Sequence, residues 1–306
     1  NLFTAQVVEQ MQTSAPLWEP RVLRLSSRLE VVTSLFNLVA SDVWYSIGSP
    51  IGDRWLHALA RLLRKPRVIH WVGSDIQTLY RNRNLRNVCT QRHIRNLAEV
   101  DWTIEELRAV GITATLAPLP PHLHSHDVPP PLPERFTVLL YLPQSRGDFY
   151  GRREYERLFR TFATRPVRFL VVGGGEFYSP PEADVVRMGW CSDLSEAYAE
   201  STLLLRLTQH DGLSIMTLEA LTWGRFVLWT QDFPFVTRVS NYEDCESAIA
   251  RLLEAHLAGS LHVQSDAARY VAETYAPGRC IAHIAQAWEN SLRRAPRSGL
   301  AAETTL

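Results

Sequence analysis

Residues 201–230, STLLLRLTQHDGLSIMTLEALTWGRFVLWT, contain the pattern that decides the fold. The apolar run at 201–207 predicts a buried strand, and residues 226–230 predict another. Between them, the pair Asp211-Gly212 predicts a turn, and a helix is expected over about 213–221. A strand, a helix and a second strand in this order form a βαβ unit, which places both strands in parallel in one sheet.

The same alternation of strand and helix continues on both sides of this stretch. Further strands are expected at residues 21–25, 42–47, 67–71, 112–116, 136–141, 167–172 and 185–188, with weaker candidates at 87–89 and 96–98. Helices are expected at 54–64, 103–110, 153–162, 194–199, 243–258, 265–274 and 280–293, with Thr103 as the N-cap of the second. The predicted fold is therefore α/β, with parallel sheets.

A proline-rich segment divides the chain of 306 residues. This division predicts four segments: an N-terminal domain at 1–118, a stiff linker at 119–133, a C-terminal domain at 134–277, and a last segment at 278–306. That last segment is expected to be a helix that packs back towards the N-terminal domain, followed by a flexible tail. We expect two Rossmann-like, doubly wound domains with a ligand cleft between them.

The composition excludes some classes of protein and location. Lys+Arg and Asp+Glu both number 32, so bulk charge gives no support to nucleic-acid binding. Lys65 is the only lysine, and the other basic residues are arginines. The four cysteines are far apart without a CxxC pair, which favours reduced thiols in the cytoplasm. No apolar run of about 18 residues predicts a membrane-spanning helix, and the first residues lack the features of a signal peptide.

The helix expected after Asp211 and Gly212 could bind an anion. Free backbone N–H groups at a helix start favour a group such as a diphosphate. Glu219 lies about one and a half turns into that helix, where its carboxylate could accept hydrogen bonds from the ribose hydroxyls of a nucleotide. From spacing alone, the alternative is equally good: Glu219 would be a surface charge and Asp211 an ordinary turn residue.

The same segment resembles the signature of retaining glycosyltransferases of family 4, which have the GT-B fold. In that family an acidic residue, seven further residues and a glutamate precede Ala-x-x-x-Gly, and Asp211, Glu219, Ala220 and Gly224 match this in register. The resemblance implies that Asp211 contacts the donor sugar and that Glu219 binds ribose. It also implies that the backbone of Gly212, Leu213 and Ser214 holds the diphosphate. The family usually has Glu where Asp211 stands, and aspartate is one methylene shorter.

Other parts of the C-terminal half agree with this resemblance. Cys191 and Leu194 lie in a segment that resembles the family's loop around the nucleobase. Arg146 and Arg152, with Arg153 in reserve, stand where the family carries an Arg and a Lys that neutralise the leaving diphosphate. Gly173 opens a Gly-Gly-Gly run that would allow close backbone approach. The family's usual Lys is absent.

The N-terminal half carries one candidate residue. Residues 68–75 resemble the family's His-x-x-Gly-x-Asp turn, in which the His contacts the donor sugar, and this implies that role for His70. The alternative is a histidine hydrogen-bonded at a strand end. The family's first strand and its glycine-rich loop are not found at the start of this chain.

Two further segments have competing interpretations. Residues 122–127, His-Leu-His-Ser-His-Asp, have a composition that could bind a metal, but they lie in the linker, so we expect no metal site. Residues 61–67 form a basic helix end that could touch anionic lipid. A solvated helix C-terminus, where cations are favourable, is the preferred interpretation.

The predicted function is that of a metal-independent, hexosyltransferase-like retaining enzyme without a cofactor. It would move a sugar from a nucleotide sugar, UDP-sugar before GDP-sugar, to a hydroxyl of a glycan, lipid or small molecule. We expect it in the cytoplasm, with peripheral membrane contact as a further option. One alternative is a non-catalytic GT-B-like partner protein. Another is a nicotinamide oxidoreductase using Gly173, but Tyr178 stands where its third glycine is needed.

Overall fold

The computed structural model describes residues 2–23, 28–48, 58–59, 61–123 and 128–294. Residue contacts divide the chain into two compact units. The N-terminal unit comprises Asn1–Pro121 together with Pro277–Leu306, and the C-terminal unit comprises His122–Ala276. The chain therefore enters the C-terminal unit once and leaves it once.

The N-terminal unit contains a sheet of four parallel strands in sequential order. Its strands are β1 (Trp44–Ile47), β2 (Arg67–Trp71), β3 (Ile94–Ala98) and β4 (Ala114–Leu116). Its first helices are α1 (Leu2–Ser14), α2 (Arg28–Ala40), α3 (Gln77–Arg81), α4 (Arg83–Cys89) and α5 (Asp101–Ala109). Strand β2 is buried along its whole length, as expected of a parallel strand covered on both faces.

Three predictions for this unit are wrong. Of the strand predicted at 21–25, residues 21–23 are irregular, and the rest lies outside the described residues. Residues 87–89 are helical because the Asn82 side chain accepts a hydrogen bond from Leu85 N at 3.0 Å and so starts α4 upstream of them. Helix α5 begins at Asp101, so Thr103 is not its cap and its hydroxyl instead donates to the Val100 carbonyl at 2.7 Å.

Some helices of this unit were not predicted, and one prediction can be compared with the structure only in part. Helices α1, α2 and α3 were not predicted. Of the helix predicted at 54–64, residues 58–59 and 61–62 are helical, while 54–57 and 60 are outside the described residues.

The C-terminal unit contains a parallel sheet of six strands in the order β10-β9-β8-β5-β6-β7. The strands are β5 (Thr137–Tyr141), β6 (Arg168–Val172), β7 (Asp184–Gly189), β8 (Leu203–Arg206), β9 (Phe226–Trp229) and β10 (Thr237–Arg238). The helices are α6 (Arg152–Thr161), α7 (Ser195–Ala199), α8 (Ile215–Thr222), α9 (Tyr242–Leu257) and α10 (Ser265–Thr274). All except the short β10 were predicted from the sequence.

The central strands of this sheet form the core of the unit. Val138 and Leu140 of β5 and Leu203 and Leu205 of β8 are fully buried in one cluster with Phe159 of α6. Runs of apolar residues without alternation are typical of parallel strands that are covered by helices on both faces. This packing holds the carboxyl ends of the strands, and the loops that follow them, in fixed positions.

The end of the proline-rich segment packs on the C-terminal unit. The fully buried Arg225 donates hydrogen bonds to the carbonyls of Tyr198, Pro130 and Pro131 at 2.9, 3.1 and 2.9 Å. The preceding Gly224 has a φ of +68°, and a Cβ there would lie 2.4 Å from Val263 Cγ2 and 3.0 Å from Pro129 Cβ. The glycine therefore permits the close approach that Arg225 then holds.

The last helix, α11 (Pro277–Arg294), belongs to the N-terminal unit. It packs against α1, β2 and β3. Ile281 and Ile284 of α11 are fully buried in one cluster with Val7 and Met11 of α1. The N-terminal unit is thus completed by residues from both ends of the described chain.

Among the described residues there is neither a membrane-spanning helix nor a metal-ligating cluster. No helix there combines the length and the apolar character needed to cross a bilayer. Within the same residues, His, Cys, Asp and Glu side chains do not form a group of three around a possible metal position. Of the segment 122–127, residues 124–127 are outside the described residues.

Candidate functional site

The loops that follow β8, β5, β6 and β7 meet along one edge of the C-terminal sheet. Backbone hydrogen bonds join each to the next: Gln209 N donates to Phe149 O at 3.0 Å, Gly175 N to Leu142 O at 2.9 Å, and Gly173 N to Gly189 O at 2.7 Å. The carboxyl edge of a parallel α/β sheet is where ligands of such domains bind. The predicted site residues of this unit lie on these connected loops or on the helices that follow them.

The loop after β8 leads into α8 through Ser214. The Ser214 hydroxyl caps the helix by accepting a hydrogen bond from Thr217 N at 3.2 Å, so the helix begins at Ile215. The first backbone N–H groups of α8 have no acceptor within the helix and face its N-terminal end. Such groups favour the binding of an anion. Leu213 and Ser214 are 9% and 3% exposed, and Gly212 is also buried, so the loop is packed tightly in place.

Glu219 is held by a tyrosine that sequence reasoning missed. The Tyr198 hydroxyl donates to Glu219 Oε2 at 2.7 Å, and the Tyr198 ring stacks on Trp223. Burial, and then the charge of Glu219, raise the pKa of Tyr198 well above its usual value, so it stays protonated as a donor. Glu219 is partly buried and oriented, unlike a freely solvated surface charge.

Tyr198 also links this glutamate to the predicted nucleobase loop. It lies on α7, which begins directly after Leu194. Cys191 and Leu194 are both partly buried, and the Cys191 thiol lies 3.8 Å from the Met188 carbonyl. Trp190, which lies in the sequence between Gly189 and Cys191, is 75% exposed.

Asp211 is in an environment that differs from the one implied by the resemblance. Its carboxylate accepts Arg206 Nε at 2.5 Å and Arg206 Nη2 at 3.1 Å. The Thr208 hydroxyl and the Trp229 indole N–H each donate to Asp211 Oδ2 at 3.2 Å. Both oxygens of this carboxylate are therefore hydrogen-bonded within the chain, and the contact with a donor sugar stays a prediction.

The two arginines predicted to bind a diphosphate also have partners within the chain. Arg152 donates through Nε and Nη2 to Asp148 Oδ1 at 3.0 and 2.6 Å, and Arg153 lies 3.4 Å from Asp148 Oδ2. The Arg146 guanidinium stacks over the Phe149 ring at 4.0 Å, and its backbone has a φ of +63°. All of these ion-pairing side chains are at least 39% exposed, so water competes with the pairs, and a ligand could do the same.

Gly173 serves the packing of the chain itself. Its φ is +108°, and a Cβ at this position would lie 2.6 Å from the Leu142 carbonyl oxygen. The glycine is needed because the loop after β6 passes close to the loop after β5. The prediction that this glycine admits a ligand remains untested.

His70, the candidate of the N-terminal unit, is buried rather than exposed to a ligand. His70 is 0% exposed near the carboxyl end of β2, and its Nδ1 lies 2.6 Å from the Tyr45 hydroxyl. Burial lowers the pKa of His70 to about 3, against a smaller opposing effect of a hydrogen bond with the Ala117 backbone. These contacts fit the alternative of a histidine hydrogen-bonded near a strand end, and the contact with a donor sugar stays a prediction.

Acidification is expected to destabilise the protein through His70. The unfolded chain binds a proton near the ordinary pKa of 6.5, whereas the folded ring resists it down to about 3. As the pH falls below about 6.5, protonation favours the unfolded chain, so stability present at neutral pH is lost. Between about pH 7 and pH 5 the loss is about 2 kcal/mol. Urea denaturation at both pH values measures it.

The variant His70→Gln has no such titration, and it should lose less stability than the wild-type protein over this pH interval. His262→Gln, at an exposed histidine, is the matched control and should behave as wild type. An identical pH dependence in wild type and His70→Gln would contradict the assignment.

The comparisons with known proteins identify the fold. No protein-family model matches the sequence, and no curated protein sequence matches it. Several solved structures are similar to it. One is TarM, which matches with a TM-score of 0.63 and 12% identity over 86% of this chain and 57% of its own. The pneumococcal O-GlcNAc transferase GtfA, in complex with UDP and GlcNAc, matches at a TM-score of 0.64 and 13% identity, over 86% and 60%. The chain has the GT-B fold.

A third similar structure is the sucrose-phosphate synthase from Thermosynechococcus elongatus. It matches with a TM-score of 0.63 and 13% identity over 90% of this chain and 81% of its own. This chain spans only 57% and 60% of the lengths of TarM and GtfA. At these identities the similarity shows the fold. The chemistry of the site has to be argued from its residues.

Several residues of the site were missed because they act through tertiary contacts. These are Asp148, Tyr198, Arg206, Thr208 and Trp229. One of them had a sequence signal. Arg206 interrupts the apolar strand Leu-Leu-Leu-Arg-Leu, and a charge in a buried strand requires a partner nearby.

Proposed function

We propose that this chain is a glycosyltransferase of family 4 type that uses a nucleotide sugar. It transfers the sugar to an acceptor hydroxyl with retention of the anomeric configuration. The observation that carries the proposal is the Glu219–Tyr198 pair on α8 and α7, in a protein with the GT-B fold. A carboxylate oriented by a neutral tyrosine is suited to accept hydrogen bonds from a vicinal diol such as ribose.

The donor would lie along the carboxyl edge of the C-terminal sheet. Glu219 binds ribose, and the loop containing Cys191 and Leu194 frames the base. The N–H groups of the α8 start hold the diphosphate, with Arg146 and Arg152 as the cations that face it once Asp148 and Phe149 release them. Preorganised positive charge stabilises a departing nucleoside diphosphate as it gains negative charge.

The reaction requires no nucleophile from the protein. The glycosidic bond to the leaving phosphate breaks, the acceptor oxygen attacks from the same face, and the departing phosphate oxygen takes the acceptor's proton. The oxocarbenium-like sugar between them is short-lived. The residues named above bind and orient the donor, and the chemistry is supplied by the substrates, so the reaction is proposed to be metal-independent.

UDP-sugar is the favoured donor class. Two of the similar structures are described in complex with UDP, the pneumococcal transferase with GlcNAc and a TarM mutant with an α-GlcNAc-glycerol. The acceptor is left as a glycan, lipid or small molecule. Peripheral membrane contact is supported by the exposed Leu62, which lies between the exposed Arg61 and Arg64. The unpaired cysteines support a cytoplasmic location.

A thermal-shift screen with UDP, GDP, ADP and NAD tests the proposal. A ligand that binds only the folded state raises its melting temperature, and UDP is expected to give the largest rise. Transfer assays with UDP-sugars follow. Binding of UDP without transfer or donor hydrolysis would favour a non-catalytic partner protein, and a shift with NAD alone would favour an oxidoreductase.

Tyr198→Phe is expected to weaken UDP binding roughly three- to fivefold, because Glu219 loses the hydrogen bond that orients it. Isothermal titration calorimetry measures the dissociation constant. Tyr178→Phe, at an exposed tyrosine of the same unit, is the matched control and should bind as wild type. If both variants bind UDP equally well, Tyr198 has no role in orienting Glu219.

A further inference from the structure

The carboxylate of Asp211 accepts hydrogen bonds from three side chains of its own chain. Arg206 donates two, and Thr208 and Trp229 donate one each. Three of these four go to Oδ2 and one goes to Oδ1, so both oxygens are engaged within the chain. The side chains of Arg206 and Asp211 are only 12% and 14% exposed, so the pair is a largely buried link between the end of β8 and the loop.

Resting on the proposed function, we propose that Asp211 and Arg206 are positioning residues of the diphosphate site. Asp211 orders the loop that ends at the α8 start, without contacting the donor sugar. Arg206 neutralises Asp211, so that a carboxylate does not face the incoming diphosphate. No role for Arg206 follows from the sequence resemblance, because that resemblance begins at Asp211.

The loop is held on both sides, which is what a rigid anion site requires. On one side, the Thr230 hydroxyl donates to the Thr208 carbonyl at 3.1 Å, and Trp229 Nε1 donates to Asp211. On the other, Gln209 donates through its backbone N to Phe149 O and through its side chain to Asp148 O. Asp211 joins the loop to β9 and to its own strand at once, so its loss frees the segment before Ser214.

The negative charge of Asp211 needs a partner because it lies close to the proposed diphosphate position. Asp211 is three residues before Ser214, the N-cap of α8, where the diphosphate is proposed to bind. A bare carboxylate so close to a second anion is repulsive, and the repulsion is strong where the surroundings exclude water. The paired guanidinium cancels it through two parallel hydrogen bonds, a geometry that lysine does not reproduce. Burial lowers the pKa of Arg206, but Asp211 outweighs this, and Arg206 stays charged.

The test compares UDP, uridine and a UDP-sugar by calorimetry on Arg206→Met, Asp211→Asn and the double variant. Arg206→Met exposes the acid, so UDP binding should weaken about tenfold or more, while uridine, which has no phosphate, changes by less than about twofold. The double variant removes the negative charge as well, but the amide oxygen of Asp211→Asn can still accept from Thr208 and Trp229 and anchor the loop. Its UDP binding should therefore recover to within about threefold of wild type. Arg238→Met, at an exposed arginine, is the control.

Asp211→Asn tests the sugar contact directly. UDP-glucose and UDP-N-acetylglucosamine serve as probes, and the one that binds wild type more tightly is used. The ratio of its affinity to that of UDP should stay within about twofold of the wild-type ratio, because the sugar does not touch residue 211. A fall of about fivefold or more in this ratio would overturn the inference, since it would show that Asp211 contacts the sugar.

Two further results have defined meanings. A double variant as weak as Arg206→Met would overturn the inference by showing that Arg206 binds phosphate itself. If Arg206→Met does not fold, as judged by circular dichroism, the double variant and Arg206→Lys replace it. The double variant should still bind UDP nearly as wild type, and Arg206→Lys about threefold more weakly. A wild-type protein that binds neither UDP, GDP nor ADP overturns the proposed function together with this inference, whereas the other results overturn the inference alone.

Discussion

Replacing Glu219 by alanine is expected to weaken the binding of UDP about tenfold or more. The substitution removes a charged acceptor for the ribose hydroxyls, and hydrogen bonds to charged groups contribute about 1.5–3 kcal/mol. It also leaves the Tyr198 hydroxyl, which now donates at 2.7 Å, without this partner at a buried position. Calorimetric titration of UDP into the variant measures the change.

The design of this experiment separates binding from folding. Glu219→Gln keeps the shape and one acceptor oxygen, so it should fall between wild type and alanine. Glu254→Ala, at an exposed glutamate of α9 in the same unit, is the matched control and should leave the dissociation constant unchanged. A dissociation constant for Glu219→Ala equal to that of wild type, with an unchanged melting temperature, would remove Glu219 from the site.

Replacing Arg225 by methionine is expected to lower the free energy of unfolding by about 3 kcal/mol. Arg225 is fully buried and donates to four backbone carbonyls, those of Tyr198, Ala199, Pro130 and Pro131. Methionine fills much of the space but donates to none of them. Burial lowers the pKa of Arg225 to about 10, which still leaves it charged at neutral pH.

The melting temperature followed by circular dichroism measures this loss, which corresponds to a fall of roughly 10 °C for a unit of this size. Arg251→Met, at an exposed arginine of α9, is the control and should melt within about 2 °C of wild type. Arg225→Lys retains the charge but not the planar set of donors, so an intermediate value is expected. An equal melting temperature for Arg225→Met and Arg251→Met would contradict the structural role given to Arg225.

The sequence predicted the C-terminal unit well because its elements have strong local signals. Parallel strands covered on both faces are continuous apolar runs, and residues 265–274 form a helix with the predicted limits. Local signals were misleading where a single polar side chain changes the outcome. Asn82 caps a helix through residues 87–89, which taken alone have the composition of a weak strand.

For the site, the sequence located the segments and missed the partners. As the spacing predicted, Asp211 lies in the loop before α8 and Glu219 lies within that helix. Their roles depend on Arg206 and Tyr198, which approach from β8 and α7, and no spacing rule reports such a tertiary contact. The same holds for His70, whose burial against Tyr45 of the neighbouring strand decides its chemistry.

The return of α11 to the N-terminal unit has a consequence for biosynthesis. All residues of the C-terminal unit lie in one uninterrupted stretch, His122–Ala276, so it can fold as soon as that stretch has left the ribosome. The N-terminal unit cannot cover Val7 and Met11 until Ile281 and Ile284 have been synthesised. Of these two units, the one whose translation begins first is therefore the one completed last.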